Sequence, residues 1–465
     1  MGRSTHSPPE SGTTPVIRNQ DNLKRSITLV GAIGISVNQI IGGGIVSLTG
    51  VAIAMTGGGV SVAYVLAVVA VIISSIPYAA LAAAYPTAGG SYTWTARLIH
   101  PSAGFLLAWL LALGKGSLSL YGLAAGAYLH AINPWFNEAW VAISLVTIFF
   151  VANLAGSVVS ARLGVFMMIL MLLGFGTFAA FGLSKVNWAI YPEVMPNGFV
   201  ELLSAAALLS FATAGAYGVA ELGREMKNPG RDIPLAMIGG TALVGLIYVA
   251  VALPAAGVLP IDRVAGEPLS TVAEEFLPHG MWLFFILAGA IVAIISTMNA
   301  ELLWGTKALL AASDDGWLPK GLGSVNKRFG TPHWLLVILY VLGITPAAVG
   351  VDISVIGTAA SVFVQIMFAV LVVASLLLRY KIPKLYERSP FKLPLTLHVS
   401  LVFASVALSL YQGYLLLGDF DIRAWVAVAV WLAIGVAIAL LRYPTVKKTL
   451  AEREVQLRNS ELPRP

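Results

Sequence analysis

Residues 26–54 read SITLVGAIGISVNQIIGGGIVSLTGVAIA, an apolar run that contains no Asp, Glu, Lys or Arg. A helix needs about 20 predominantly apolar residues to cross the hydrocarbon core of a bilayer, and this run is long enough. Three consecutive glycines, Gly42 to Gly44, lie close to its centre. The stretch therefore predicts a membrane-spanning helix with a weak point at mid-membrane depth.

The composition of the whole chain agrees with that first run. Of its 465 residues, 58% are hydrophobic and only 11% are charged, whereas about a quarter are charged in an ordinary soluble domain. This balance excludes a water-soluble enzyme and predicts an all-α integral membrane protein. The chain has no cysteine, which excludes disulfides, zinc-thiolate sites and iron-sulfur clusters. We expect neither a metal nor a cofactor.

Apolar runs of suitable length predict about twelve transmembrane helices. The predicted segments are 26–54, 58–85, 102–132, 138–156, 161–183, 198–222, 235–258, 278–312, 334–350, 353–379, 394–416 and 421–442. Together they define a transporter-sized domain over residues 23–442. Residues 1–22 and 443–465 are polar or charged and are predicted to be solvated tails.

The distribution of positive charge predicts the orientation. If the N-terminus is cytoplasmic, the loops on that side carry 24 of the 28 Lys and Arg residues. The opposite side keeps only Lys185, Arg263 and Arg423, and Lys115 falls on neither side. By the positive-inside rule, we expect both termini to lie in the cytoplasm. We further expect the protein to be integral to the cytoplasmic (plasma) membrane. Because the basic residues are spread over short loops and form no stripe, no nucleic-acid partner is expected.

A second weak point lies in the sixth segment, where residues 213–218 read TAGAYG. Close packing of small residues is the plain alternative for both weak points. Interrupted helices in corresponding positions of two halves, however, are typical of secondary transporters with inverted repeats and a midplane site. The spacing predicts one repeat over residues 26–183, a second over 198–379, and two extra helices over 394–442. Such breaks suit a zwitterion, since freed amides bind a carboxylate and freed carbonyls an ammonium.

Four ordered motifs resemble those of one transporter superfamily. They are IIGGGIV at 40–46, YPTAGGSY at 85–92, EMKNPGRDIP at 225–234 and DDGWLP at 314–319. On these motifs the chain is identified as similar to the amino acid–polyamine–organocation (APC) superfamily, of the amino acid permease type. The resemblance implies a LeuT-like fold of five plus five helices with discontinuous helices 1 and 6.

The resemblance also implies a substrate site. The amides of Gly43 and Gly44 would bind a carboxylate, and the carbonyls of Ile40, Phe211 and Ala214 an α-ammonium. Phe211 matches the position of an aromatic ring that covers the substrate in relatives, although a Phe facing lipid or core is the alternative. The neighbouring residues expected to complete the site are Ile41, Gly42, Ala212 and Gly215.

Lys115 is an ionisable group deep in the third segment, where an unpaired charge is costly. A lysine that becomes neutral can carry a coupling proton, and a static ion pair is the alternative. Many relatives place a coupling lysine on the fifth helix, at the position of Met171 here. The frequent glutamate of the sixth helix in relatives corresponds to Tyr217. Both departures put family-style coupling in doubt.

Three residues of the eighth segment are further candidates. Glu301 is predicted either to bind a second cation of the substrate or a proton, or to form a salt bridge with Lys115 or Lys307. Ser296 and Thr297 lie where sodium-coupled relatives supply hydroxyl ligands. Hydroxyls in membrane helices commonly bond back to their own backbone instead, and this is the alternative here.

Together these features predict a secondary active transporter of neutral or cationic amino acids that works by alternating access. Coupling to protons or to a counter-substrate is favoured over sodium. The expected partners are a small-molecule substrate, that coupling species and the lipid bilayer. A polyamine or organic amine transporter of the same fold is one alternative, and a non-transporting membrane sensor is another. An enzyme is not predicted, because neither an H-E-x-x-H nor a G-x-S-x-G motif is present.

Overall fold

The computed structural model describes residues 25, 27–87, 89–154, 160–188, 191–319, 321–326, 331–417 and 422–461. The predicted N-terminal tail, residues 1–22, lies outside these described residues. Within them the regular structure is helical, apart from an isolated parallel bridge between Ile27 and Met226. The prediction of an all-helical chain is therefore confirmed.

The described part of the chain contains twenty α-helices. The first ten are α1 (Leu29–Ile40), α2 (Gly43–Thr56), α3 (Val60–Ala84), α4 (Gly90–Leu98), α5 (Pro101–Leu113), α6 (Ser117–Ile132), α7 (Glu138–Leu154), α8 (Ser160–Leu183), α9 (Phe199–Thr213) and α10 (Tyr217–Ala220). The others are α11 (Pro229–Pro234), α12 (Gly240–Gly257), α13 (Leu269–Phe276), α14 (His279–Phe284), α15 (Val292–Asp314), α16 (His333–Ala348), α17 (Ile353–Lys381), α18 (Pro383–Glu387), α19 (Leu395–Leu417) and α20 (Ile422–Glu461). Each predicted apolar segment coincides with one or more of these helices.

Many of these helices are long and apolar enough to cross a membrane. Among the described residues, eight segments satisfy both conditions: Leu29–Ala84, Pro101–Ile132, Phe166–Leu183, Pro229–Gly257, His279–Asp314, Ile353–Lys381, Leu395–Leu417 and Ile422–Glu452. Three shorter apolar helices accompany them: Glu138–Leu154, Phe199–Thr213 and His333–Ala348. The first long segment contains two of the predicted spans, because α2 and α3 are joined only by the 3₁₀ turn Gly57–Gly59. The chain is a multi-pass membrane protein.

Besides the Gly57–Gly59 turn in the first long segment, three other long segments change their helical pitch part-way along. Gly114–Gly116 forms a 3₁₀ turn between α5 and α6. Leu235–Gly239 and Phe285–Ile291 form π-helical turns before α12 and α15. Such turns inside a helix often occur at functional or strained positions. The Gly114–Gly116 turn differs from the unbroken third span expected from the sequence, and it surrounds Lys115.

The helix packing encloses the weak points of the first and sixth predicted spans. The long helix α3 packs against α9, α12 and α17, while α1 packs against α8 and α15. Helix α2 packs against α9. These contacts surround residues 40–44 with protein, so that each of them is buried. The backbone where helices break is thus shielded from lipid, as a membrane protein requires.

The short helix α4 joins two other parts of the chain at one end of the molecule. Its Ser91 amide donates a hydrogen bond to the buried Glu221 carboxylate, just beyond α10, at 2.9 Å. Its Tyr92 hydroxyl donates to Asp315, at the end of α15, at 2.7 Å, and Arg97 lies 3.5 Å from the same carboxylate. Burial, reinforced by Asp315, raises the pKa of Tyr92 well above its ordinary value. The hydroxyl therefore remains a proton donor.

Helix α20 is 40 residues long and continues through most of the predicted C-terminal tail. Trp431 stacks on Trp109 of α5 with ring centroids 4.3 Å apart. Each indole N–H donates to the carbonyl of the other residue, at 2.9 and 2.8 Å. Further along, the Arg442 guanidinium donates to the Gly316 carbonyl at 2.9 Å. Residue 443 is therefore not a helix end, and the first turns beyond it are structured.

Two glycines on α8 test this packing. A Cβ added at Gly174 would lie 2.6 Å from the Gly289 Cα, whereas a Cβ added at Gly176 would meet nothing within 4 Å. Overpacking a tight contact costs about 1–3 kcal/mol, so we expect Gly174→Ala to lower the thermal unfolding temperature of the detergent-purified protein. Gly176→Ala is the matched control and should leave that temperature unchanged or raise it. Equal effects of the two substitutions would contradict the described helix contact.

Candidate functional site

The first predicted span is broken at its glycines. Helix α1 ends at Ile40, and Ile41 and Gly42 adopt extended backbone conformations before α2 begins at Gly43. Consecutive glycines disfavour a helix by about 1 kcal/mol each relative to alanine, which explains why the chain unwinds here. No side chain caps the N-terminus of α2. The amides of a helix's first turn lack intrahelical partners and carry partial positive charge.

The sixth predicted span is broken as well. Helix α9 ends at Thr213, and a tight turn leads into the single turn of α10, which begins at Tyr217. Within the turn, the Tyr217 amide donates to the Ala214 carbonyl at 3.2 Å. The last carbonyls of a helix such as α9 carry partial negative charge. Both predicted interruptions are therefore present in the structure.

The two breaks touch each other directly. A Cβ at Gly215 would lie 2.3 Å from the Gln39 carbonyl oxygen and 2.7 Å from the Ile40 amide nitrogen. A Cβ at Gly44 would lie 2.7 Å from the Ala212 Cα. Only glycine permits such close backbone contact. The contact between the two breaks therefore explains why glycine occupies positions 44 and 215. Of the predicted site residues, Ile40 and Gly44 of the first break contact Gly215 and Ala212 of the second. The other predicted residues of the two breaks, Ile41, Gly42, Gly43 and Ala214, adjoin them in the chain.

A tyrosine hydroxyl bridges the two breaks. Tyr248 of α12 is fully buried and donates to the Ile40 carbonyl, and its hydroxyl lies 3.5 Å from the Ala212 carbonyl. Its ring packs edge-on against Tyr64 with centroids 5.2 Å apart. The Tyr64 hydroxyl in turn lies 2.7 Å from the Thr49 hydroxyl on α2. The Tyr248 hydroxyl thus gives hydrogen-bonding partners to carbonyls at both breaks, as backbone inside a membrane requires.

Aromatic rings form one wall of the site. Phe211 is half-buried and stacks with Tyr121 of α6 at a centroid distance of 6.3 Å. A Cβ at Gly43 would lie 2.1 Å from the Tyr121 ring. The predicted aromatic position therefore lies beside the first break, across from a second ring that the sequence analysis did not identify.

The hydroxyls of Ser296 and Thr297 lie between α15 and α1, as the resemblance implies. Thr297 is 3.1 Å from both the Asn38 carbonyl and the Ala293 carbonyl, and Ser296 is 3.4 and 2.9 Å from the same two oxygens. The hydroxyl of Ser296 also lies 3.7 Å from the Met171 sulfur. Each hydroxyl thus has a backbone acceptor on its own helix and another on α1.

Lys115 and Glu301 form a buried ion pair between the third and eighth predicted spans. Their side chains are 5% and 10% exposed, so each charge needs the other. Lys307, the other expected partner of Glu301, instead lies 3.4 Å from Glu225. Of the two salt bridges considered for Glu301, the structure contains the one with Lys115.

The ion pair is connected to the second break through two side chains. The Lys115 ammonium lies 3.5 Å from the centroid of the Trp304 ring, a cation–π contact. The Trp304 indole donates to the Gln39 side chain when that amide is oriented to satisfy both of its neighbours. The Gln39 amide nitrogen then donates to the Gly215 carbonyl at 2.8 Å. The intramembrane charges and the helix breaks therefore belong to one network.

Comparison with known proteins agrees with this geometry. The sequence profile described as amino acid permease matches residues 27–440. The chain belongs to the amino acid permease family. This confirms the resemblance to the APC superfamily.

Three relatives illustrate the breadth of the family. The branched-chain amino acid permease of Bacillus subtilis is 27% identical over 91% of this chain and 94% of its own length. The methylthioribose transporter of the same organism is 25% identical over 90% of this chain and 94% of its own length. The mitochondrial cationic amino acid transporter 3 of Arabidopsis thaliana is 25% identical over 80% of this chain and 65% of its own length. Transport of small molecules is common to the names of all three.

The ion pair generates a stability prediction. Removing one member of a buried pair leaves an uncompensated charge and costs about 3–5 kcal/mol, whereas replacing both members with apolar residues is often neutral. We therefore expect Lys115→Met to lower the unfolding temperature of the purified permease strongly. The double variant Lys115→Met/Glu301→Met should recover most of that loss. A double variant less stable than either single variant would show that the pair does not neutralise buried charge.

Proposed function

We propose that this permease is a secondary active transporter of amino acids that works by alternating access around the two helix breaks. The observation that carries the proposal is the direct contact between the breaks, in which Gly215 packs on the Gln39 carbonyl and Gly44 on Ala212. This contact places the N-terminus of α2 beside the C-terminal end of α9. The two helix ends present opposite partial charges to one small volume, which suits a zwitterion.

Each end of the zwitterion has a proposed set of contacts. The amides of Gly43 and Gly44 bind the substrate carboxylate, and the carbonyls of Ile40, Phe211 and Ala214 bind its α-ammonium. The side chain lies toward Phe211, and Ile41, Gly42, Ala212 and Gly215 shape the backbone around it. Tyr248 donates to the Ile40 carbonyl, and an ammonium bound there shares that oxygen, which has two lone pairs, with the tyrosine hydroxyl.

The membrane arrangement is part of the proposal. It comprises twelve crossings, with inverted repeats over residues 26–183 and 198–379 and two extra helices over 394–442. The two breaks then fall in the first helix of each repeat. The bias of positive charge supports cytoplasmic tails at residues 1–22 and 443–465, and the plasma membrane is the proposed location. The names of the branched-chain and cationic amino acid relatives support the substrate class.

Coupling to protons or to a counter-substrate is proposed in preference to sodium. The Lys115–Glu301 pair is buried and reaches the second break through Trp304 and Gln39, so a proton that breaks the pair also perturbs the substrate site. The hydroxyls of Ser296 and Thr297 donate to the carbonyls of Ala293 and Asn38. Because donation leaves the lone pairs of both hydroxyl oxygens available, the preference over sodium rests on the buried Lys115–Glu301 pair.

Ligand binding and counterflow test the proposed function together. A bound amino acid raises the unfolding temperature by mass action, and counterflow in proteoliposomes distinguishes a carrier from a sensor or an enzyme. Gly43→Ala should abolish the thermal shift, because its Cβ would collide with the Tyr121 ring at the proposed carboxylate site. Gly176→Ala should bind like the parent. An unchanged affinity of Gly43→Ala for the amino acid would contradict the proposed carboxylate site at Gly43 and Gly44.

Proton coupling has its own test. If the Lys115–Glu301 pair carries the proton, then Lys115→Met and Glu301→Gln should flatten the pH dependence of amino acid uptake. Uptake is measured in proteoliposomes at several external pH values, with Lys185→Met as a control in a predicted loop. Parent-like profiles in both pair variants would contradict proton coupling through these residues.

A further inference from the structure

We propose that Lys115 is an internal cation that fills the place of a cationic substrate side chain, so that this permease selects amino acids with uncharged side chains. The inference rests on the proposed function and narrows its substrate class. It depends on three observations, which concern the acid at the site, the lysine that occupies it, and the remaining wall.

Glu301 is the acid at the site. Its buried carboxylate pairs with Lys115, which lies over the Trp304 ring. Trp304 in turn bonds to Gln39 of the first break and packs edge-on against Tyr217 of the second, with centroids 5.2 Å apart. Without Lys115, the Glu301 carboxylate would attract the side-chain cation of a lysine, ornithine or diamine bound at the helix breaks. A buried carboxylate left without such a cation would be costly.

Lys115 already supplies that cation, in a seat formed by several elements. The Gly114–Gly116 3₁₀ turn carries it, its ammonium bonds to Glu301 and lies over the Trp304 ring, and its stem packs on Gly305. A Cβ at Gly305 would lie 2.9 Å from the Lys115 Cε. The absence of a side chain at Gly305 thus makes room for the Lys115 stem, and the packing around that stem fixes the position of the lysine.

The rest of the wall offers a substrate cation little compensation. Glu221 is buried at the end of α10, where one oxygen of its carboxylate accepts the Ser91 amide of α4, and its other oxygen has no hydrogen-bond partner in the described part of the chain. Near the breaks the wall presents Phe211, Tyr121 and Ala212. A substrate cation beside these residues would meet the Lys115 charge, whereas an uncharged side chain meets apolar surface.

The experiment compares ligand affinity in three chains. Thermal-shift titrations use full-length purified protein with L-alanine, L-leucine, L-lysine, L-ornithine and putrescine. In the parent, a neutral amino acid should bind at least tenfold more tightly than L-lysine, L-ornithine or putrescine. In Lys115→Gln, the affinity for L-lysine or L-ornithine should rise at least tenfold. Lys115→Gln/Glu301→Gln is the matched control, and it should lose that gain because the carboxylate is gone.

Each outcome has a definite meaning. Parent protein that binds L-lysine or putrescine as tightly as neutral amino acids overturns the internal-cation proposal and leaves the transport proposal standing. A Lys115→Gln variant that binds neutral amino acids but gains no affinity for cations also overturns it. A parent that binds none of the amino acids overturns both proposals. The parent comparison needs no variant, so an unstable Lys115→Gln protein does not prevent the test.

Discussion

The structure depends on a constraint of the bilayer: backbone amides and carbonyls inside the membrane must find partners within the protein. The two helix breaks satisfy it by meeting each other, with glycines that allow contact at van der Waals distance. Side chains from other helices complete the pairing. Tyr248 bonds the Ile40 carbonyl and Thr297 the Asn38 carbonyl, and Gln39 bonds the Gly215 carbonyl. Unwound backbone is thus stable at the centre of the bundle, where other parts of the protein supply its hydrogen-bonding partners.

The same constraint governs the buried charges. Lys115 and Glu301 sit on different helices, and neither is tolerable there without the other. Trp304 packs on the ammonium and bonds to Gln39, so the pair is tied to the backbone of both breaks. A change in the protonation or position of either charge therefore acts on the site through direct contacts.

The sequence predicts the two helix breaks of this site better than it predicts the contacts between side chains of different helices. The glycine run at 42–44 announces the first break because helix propensity is a local property. The partner of Glu301 cannot be predicted in this way. The sequence offers both Lys115 and Lys307 as partners, and only the packing of the helices brings Lys115 to Glu301. Tyr121 and Tyr248 were missed for the same reason, because each lies on a helix whose own pattern shows only burial. The glycines on either side of Lys115 were a readable local signal for the 3₁₀ turn.

The pairing of Lys115 with Glu301 has an electrical consequence. A charge that moves across a membrane potential exchanges about 2.3 kcal/mol with the field per 100 mV. The two side chains sum to zero charge, so their joint movement exchanges almost no energy with the field. A zwitterion with an uncharged side chain is neutral as well. If the substrate is such a zwitterion, as proposed above, the voltage across the membrane does little work on the loaded site. The direction of net flux would then be set by concentration and by the charge of the coupling species.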